Sequence, residues 1–182
     1  MGYLRTKEYY DDVYSRYEKY QNSYVNSPYF NLWLKVIEKI SEISDPSILE
    51  VGCGTGQFSH MLLHKGFTKY YGFDFSEVAI EYAQKNVTNV FAGDCYDQEN
   101  YSHEHNLIVC LEVLEHLEDD LKILEIISTG IRVIFTVPDF DDPAHLRHFT
   151  TIEEVTERYS FCIDNYKCEK FDRWYIITGI KK

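Results

Sequence analysis

Glu50-Val51-Gly52-Cys53-Gly54-Thr55-Gly56-Gln57 reads EVGCGTGQ and follows the apolar run Ser47-Ile48-Leu49, which itself starts just after Asp45-Pro46. A run of strand length that stops at three alternating glycines and continues with helix-like apolar spacing over residues 57–65 predicts strand, tight turn and helix. Glycines suit such a turn because the backbone bends sharply and a ligand can approach it with no Cβ in the way.

The same alternation continues outward from this loop. Further apolar runs at residues 69–73, 89–91, 107–111 and 132–137 alternate with helical patterns at 77–86 and 119–128. Strict strand–helix alternation predicts βαβ units and a parallel sheet. Residues 165–171 and 174–180 flank Asp172-Arg173 and predict a terminal antiparallel hairpin, and Thr151-Ile152-Glu153-Glu154 predicts a capped helix start. Before the loop, Tyr10, Val13, Tyr14, Tyr17, Gln21 and Tyr24 recur on one helical face, Ser27-Pro28 interrupts, and a second apolar helix runs from Tyr29 to about Ile43. The expected architecture is α/β: a doubly wound, Rossmann-like, mostly parallel seven-stranded sheet with a C-terminal antiparallel hairpin. One domain is expected over 1–182, with 1–44 as a helical lid and 45–182 as the core.

Composition narrows the function classes. With 182 residues, 45% hydrophobic and 26% charged, the chain has the balance of a globular domain and no run long enough to cross a bilayer. A formal charge of −12 with no Lys/Arg cluster repels a phosphate backbone, which disfavours nucleic acid as partner. Five scattered cysteines without a Cys-x-x-Cys pair read as reduced thiols, so a cytoplasmic setting is expected.

Two acidic residues give the glycine loop its context: Asp74 ends the second predicted strand, and Gly93-Asp94 ends the third. This combination resembles the class I S-adenosylmethionine-dependent methyltransferases from about Ser47 to the C-terminus. The family's acidic-x-Gly-x-Gly-x-Gly motif is matched by Glu50, Gly52, Gly54 and Gly56. The resemblance implies that this loop holds the methionine and ribose portions of S-adenosyl-L-methionine, that Asp74 binds the ribose and that Asp94 binds the adenine amino group. Phe75 and Cys95 would wall the ring. A Ser128-Thr129-Gly130-Ile131 turn replaces the family's usual Lys-Pro-Gly-Gly before strand five. A nicotinamide dinucleotide site would instead space its glycines Gly-x-Gly-x-x-Gly and has no use for an acid after strand three. The tyrosines of the lid either seal the cofactor and pack on the sheet, or one or two of them, Tyr14 and Tyr17 foremost, bound the acceptor pocket.

A second feature is Leu111-Glu112-Val113-Leu114-Glu115-His116, which follows the apolar fourth strand. Ligands of open parallel sheets bind beyond the carboxyl ends of the strands, where these side chains and the long loop 138–149 emerge. If the chain turns helical at Glu112, offsets of three and four place Glu112, Glu115 and His116 on one face. His148, or less readily His145, adds an imidazole, and Glu, Glu, His, His suits manganese or another hard-to-borderline divalent cation. The pattern Glu-x-x-Glu-His with a distant His resembles the metal motif of small-RNA 3′-terminal 2′-O-methyltransferases, which implies Glu112, Glu115, His116 and His148 as ligands. Metal-free members of the wider family, including those resembling ubiquinone-biosynthesis O-methyltransferases, carry Leu-Glu-His here as a cap or lid anchor. Metal ligation, metal-free acid/base work by His116 or His148 with Glu112, and a structural role all remain open.

The expected activity is methyl transfer to oxygen or nitrogen of a small-molecule acceptor, by a monomer or homodimer. The alternatives are a metal-dependent RNA 3′-terminal 2′-O-methyltransferase and a non-catalytic cofactor-binding partner subunit.

Overall fold

A computed structural model describes residues 2–182. The chain divides into two compact units, Thr6–His105 and residues 2–5 with Asn106–Lys182. Seven strands form one sheet in the order β3-β2-β1-β4-β5-β7-β6: β1 Ile48–Val51, β2 Tyr70–Asp74, β3 Val90–Ala92, β4 Leu107–Leu111, β5 Arg132–Pro138, β6 Ile163–Phe171 and β7 Trp174–Lys181. The sheet is mostly parallel with an antiparallel C-terminal hairpin, the architecture expected from the sequence.

Thr6–His105 contains the helices α1 Lys7–Arg16, α2 Glu18–Gln21, α3 Phe30–Ser41, α4 Gln57–His64 and α5 Glu77–Ala83, and the parallel pairs β1–β2 and β2–β3. The tyrosine stripe does not run through one continuous helix. The chain breaks at Tyr17, whose backbone is extended (φ −98°, ψ 108°), and the Gln21 amide donates to the freed carbonyls of Tyr14 and Ser15 at 2.8 Å each. Side-chain capping of the last carbonyls makes an early stop tolerable. In α3, Leu32, Trp33, Val36, Ile37 and Ile40 are buried, the i, i+1, i+4, i+5, i+8 stripe of a helix packed on a core.

The second unit contains α6 Asp120–Ile126 and α7 Ile152–Tyr159, with β4 and β5 parallel and β5–β7 and β7–β6 antiparallel. All five residues of β4 are buried, as a strand covered on both faces should be. The capping box at α7 is present in full: Glu154 N–H donates to Thr151 Oγ1, and Glu154 Oε2 accepts from Thr151 N–H. Between β6 and β7 the chain turns through Asp172 at φ +51°, the left-handed conformation a two-residue hairpin loop needs. No helix among the described residues is long and apolar enough to cross a membrane.

Candidate active site

In the first unit, the turn after β1 is built by backbone geometry. Gly52 N–H and Cys53 N–H both donate to Phe73 O, at 2.8 and 3.0 Å, which ties the turn to the end of β2. Gly54 and Gly56 have φ of +51° and +76°, conformations that disfavour any side chain. At Gly56 a Cβ would also lie 2.8 Å from Ala83 Cβ, so the glycine lets the start of α4 approach α5.

Asp74 closes the loop. Its Oδ2 accepts from Gly54 N–H and its Oδ1 from Ser76 N–H, both at 2.9 Å, and the side chain is buried. Burial pushes its carboxyl up to about 6, against the pull of those two backbone donors. Each oxygen keeps a lone pair able to accept a further donor, which two adjacent ribose hydroxyls would supply. Glu50 is likewise buried, and burial raises it to about 8 in spite of a 2.6 Å hydrogen bond from Tyr70 O–H.

The N-terminal helices rest on this loop. Tyr14 is half-buried, with its hydroxyl 3.4 Å from where a Cβ of Gly54 would stand. Asp11 accepts from Ser76 O–H at 2.5 Å, Tyr10 packs edge-on against Phe75 at 5.3 Å, the Thr55 hydroxyl donates to Tyr20 O, and the Gln57 amide donates to Lys19 O and Asn22 O. Tyr17, by contrast, is exposed. After β3, Asp94 is exposed and its Oδ1 accepts from Tyr96 N–H at 2.8 Å; Cys95 is half-buried, its thiol pushed up to about 12 by burial, and its carbonyl accepts from Tyr101 O–H. Left-handed glycines, a buried carboxylate with spare acceptor capacity and a tyrosine cover fit an uncharged ribose beside a sulfonium and a zwitterionic amino-acid tail, so the residues present fit S-adenosylmethionine.

The second cluster, in the other unit, departs from the expected geometry. The chain does not turn helical at Glu112: that residue is left-handed (φ +56°), a single 3-10 turn covers Leu114–His116, and α6 starts only at Asp120. The Glu112 carboxylate is therefore not stacked with Glu115 and His116. It accepts from Thr136 O–H at 2.9 Å and Trp174 Nε1–H at 2.8 Å, and burial raises it to about 7. His148 is exposed, 3.7 Å from Asp141. Among the described residues, the ligand-type atoms that gather, all within 4.8 Å of one another, belong to Glu115, His116 and His145.

Each of the three is set by its surroundings. Both Glu115 oxygens are buried without a hydrogen-bond partner, and burial, then the nearby Glu112, hold the carboxyl well above the usual range. His116 presents Nδ1 to Ala144 O at 2.9 Å; a carbonyl only accepts, so Nδ1 carries the proton and Nε2, 3.8 Å from Glu115 Oε1, carries the lone pair. Burial lowers His116 to about 4, which keeps the ring neutral. The His145 ring lies 4.9 Å from that of His116, its Nδ1 3.1 Å from Phe140 O.

The sequence favoured His148 over His145, three residues apart on one loop; the structure gathers His145 instead. Arg147 decides between them: its guanidinium donates to Leu114 O, Leu117 O and Glu118 O at 2.6, 2.5 and 3.1 Å, clamping the loop to the 3-10 turn. Leu146 N–H adds a bond to Glu115 O at 2.8 Å. Neither Arg147 nor the Glu112 partners Thr136 and Trp174 carry a local sequence signal, because their contacts join distant segments.

Comparison with known proteins agrees with the glycine loop. The chain is 30% identical over 115 residues to the ubiquinone biosynthesis O-methyltransferase of Rickettsia bellii (strain OSU 85-389), covering 56% of this chain and 48% of that one. It thus spans about half the length of the curated relatives it matches. Among solved structures, the magnesium protoporphyrin IX methyltransferase of Synechocystis PCC 6803 with bound S-adenosylmethionine shares the fold at TM-score 0.69 and 17% identity, with 100% of each chain covered. The methyltransferase domain of bacterial CtHen1-CN does so at TM-score 0.61 and 16% identity, covering 82% of this chain and 97% of that one. Residues 25–172 match the methyltransferase-domain family, most of the chain and all of the glycine loop, and the protein belongs to the class I S-adenosylmethionine-dependent methyltransferases.

Proposed function

We propose that this methyltransferase acts on an oxygen or nitrogen of a small-molecule acceptor, with His116 as the general base. The observation that carries the reading is the tautomer of His116: with Nδ1–H held by Ala144 O, the lone pair lies on Nε2, in a half-buried neutral ring. When bound, S-adenosylmethionine would supply a sulfonium methyl group, whose bond to sulfur breaks, leaving its electron pair on sulfur, as the acceptor's lone pair forms the new bond. His116 Nε2 takes the proton that the acceptor loses, and Arg147 and Leu146 hold the turn that aims it. Positioning of this kind supplies much of the rate in displacement chemistry. The curated relatives are O-methyltransferases, which favours oxygen as the accepting atom. The −12 formal charge favours a small acceptor over RNA.

A second reading is favoured by Glu115. A buried carboxylate without a hydrogen-bond partner, beside two imidazoles, is the environment a divalent cation would satisfy. In that case Glu115, His116 and His145 are the ligands, and the cation would polarise the acceptor's hydroxyl.

The test is mass spectrometry of products from phenolic, carboxylate, phosphate and amine acceptors, with short RNA as a further candidate. His116→Ala should lower turnover on the accepted small molecule by a hundredfold or more while cofactor affinity stays near wild type. A chelator that abolishes turnover would select the metal reading. Methylation of RNA alone would refute the small-acceptor reading.

A further inference from the structure

Tyr70 is one of the largest fully buried side chains of the protein, and nothing in the glycine motif calls for it. It begins β2, and Ile48↔Tyr70 and Glu50↔Gly72 are register partners, so alternation along the strands puts Tyr70, Gly72 and Glu50 on the same face of the β1–β2 pair. The ring reaches along its own strand and across Gly72. Its hydroxyl occupies the space of the side chain that Gly72 lacks: a Cβ there would stand 2.1 Å from Tyr70 Oη and 3.1 Å from Cys53 Cβ. The hydroxyl then donates to Glu50 Oε2 at 2.6 Å, inside a region closed to solvent.

We propose that Tyr70 is a positioning residue of the cofactor site, acting through Glu50: its hydroxyl, admitted by Gly72, fixes the Glu50 carboxylate that faces the ammonium of the cofactor's amino-acid end. The proposal rests on the reading that the glycine loop holds S-adenosylmethionine. That ligand carries an ammonium and a sulfonium against one carboxylate, a net positive charge, and Glu50 and Asp74 are the buried carboxylates of the β1–β2 pair. The groups facing Glu50 are Tyr70 and Asp74 from β2, Ser59 from α4 and Cys53 from the loop. Burial and Asp74 favour a protonated Glu50, whereas Tyr70 and Ser59 favour the carboxylate. A cation bound beside Glu50 favours the carboxylate further, so binding expels a proton from this pair, and Tyr70 sets the pH at which it does so.

Tyr70→Phe keeps the ring and removes only the donor. Titration calorimetry with S-adenosylmethionine should show affinity at pH 7 reduced about tenfold or more, as for a lost hydrogen bond to a charged group. Affinity should also recover at a pH about one unit higher than in the wild type. Calorimetry in buffers of different ionisation enthalpy should show proton release by the wild type, and Glu50→Gln should abolish it. Gly72→Ala, which displaces the hydroxyl, should follow Tyr70→Phe. A Tyr70→Phe protein that melts cooperatively and binds with wild-type affinity, pH profile and proton release overturns the proposal while leaving the cofactor reading intact. A wild-type protein that does not bind S-adenosylmethionine overturns both.

Discussion

Asp120 offers the sharpest test of how the Glu115–His116–His145 cluster is held. It lies in the first turn of α6 and its side chain is fully buried. Arg158 donates to it through Nε at 2.8 Å and Nη2 at 2.5 Å, Tyr159 O–H donates at 2.7 Å, and Arg147 Nη1 stands 3.6 Å away. Asp120→Ala would leave a buried tyrosine hydroxyl without an acceptor and two guanidiniums without a counter-charge. Breaking a buried pair from one side costs ~3–5 kcal/mol. Arg158 is 34% exposed and can turn toward water, which places the expected loss near the lower bound, about 3 kcal/mol. At 2–4 °C per kcal/mol for a chain of this size, the melting temperature should fall by about 6–12 °C. The Lys35–Glu38 pair, equally short at 2.8 Å but exposed, is the control: Lys35→Ala should shift it by no more than about 2 °C. Because Arg147 also clamps the carbonyls of Leu114, Leu117 and Glu118, loss of Asp120 should lower turnover below the transition while cofactor affinity is retained. Differential scanning fluorimetry with calorimetric cofactor titration reads both effects. A melting temperature within 2 °C of wild type would refute the assignment of Asp120 as the counter-charge of this cluster.

Asp74→Ala should weaken S-adenosylmethionine binding by about 2 kcal/mol in titration calorimetry, the loss expected for charge-assisted bonds to ligand hydroxyls, and unchanged affinity would remove Asp74 from the site. Glu50→Gln should stabilise the cofactor-free protein progressively as pH rises. From 4.5 to about 8 the native carboxyl keeps a proton that the unfolded chain has lost, so wild-type stability falls across that window. The variant escapes this loss, with a gain at pH 7 of at most about 3 kcal/mol, and melting curves with parallel pH dependence would contradict it. If the metal reading holds, zinc or manganese titrated by calorimetry should bind the wild type and His148→Ala alike but bind His145→Ala at least tenfold more weakly; equal binding by all three would exclude the cluster as the site.

The sequence by itself determined the alternation of strands and helices, the glycine turn, the acidic ends of β2 and β3, and the capping box of α7. These are properties of neighbours in the chain: left-handed glycines, alternating burial and a Thr-x-x-Glu cap act within a few residues of themselves. It also named Glu115 and His116 together, on a helix beginning at Glu112 where the structure has a 3-10 turn over Leu114–His116. Only the tertiary structure decided that Glu112 turns away to Thr136 and Trp174, that His145 and not His148 joins Glu115 and His116, and that Tyr70 reaches Glu50 across Gly72. Each of those outcomes depends on a partner far along the chain, chosen by strand register and by which buried polar atom must be satisfied. The helical periodicity read at Glu112 failed for the same reason: a side chain offered two buried donors on neighbouring strands gains more there than in the first turn of a helix.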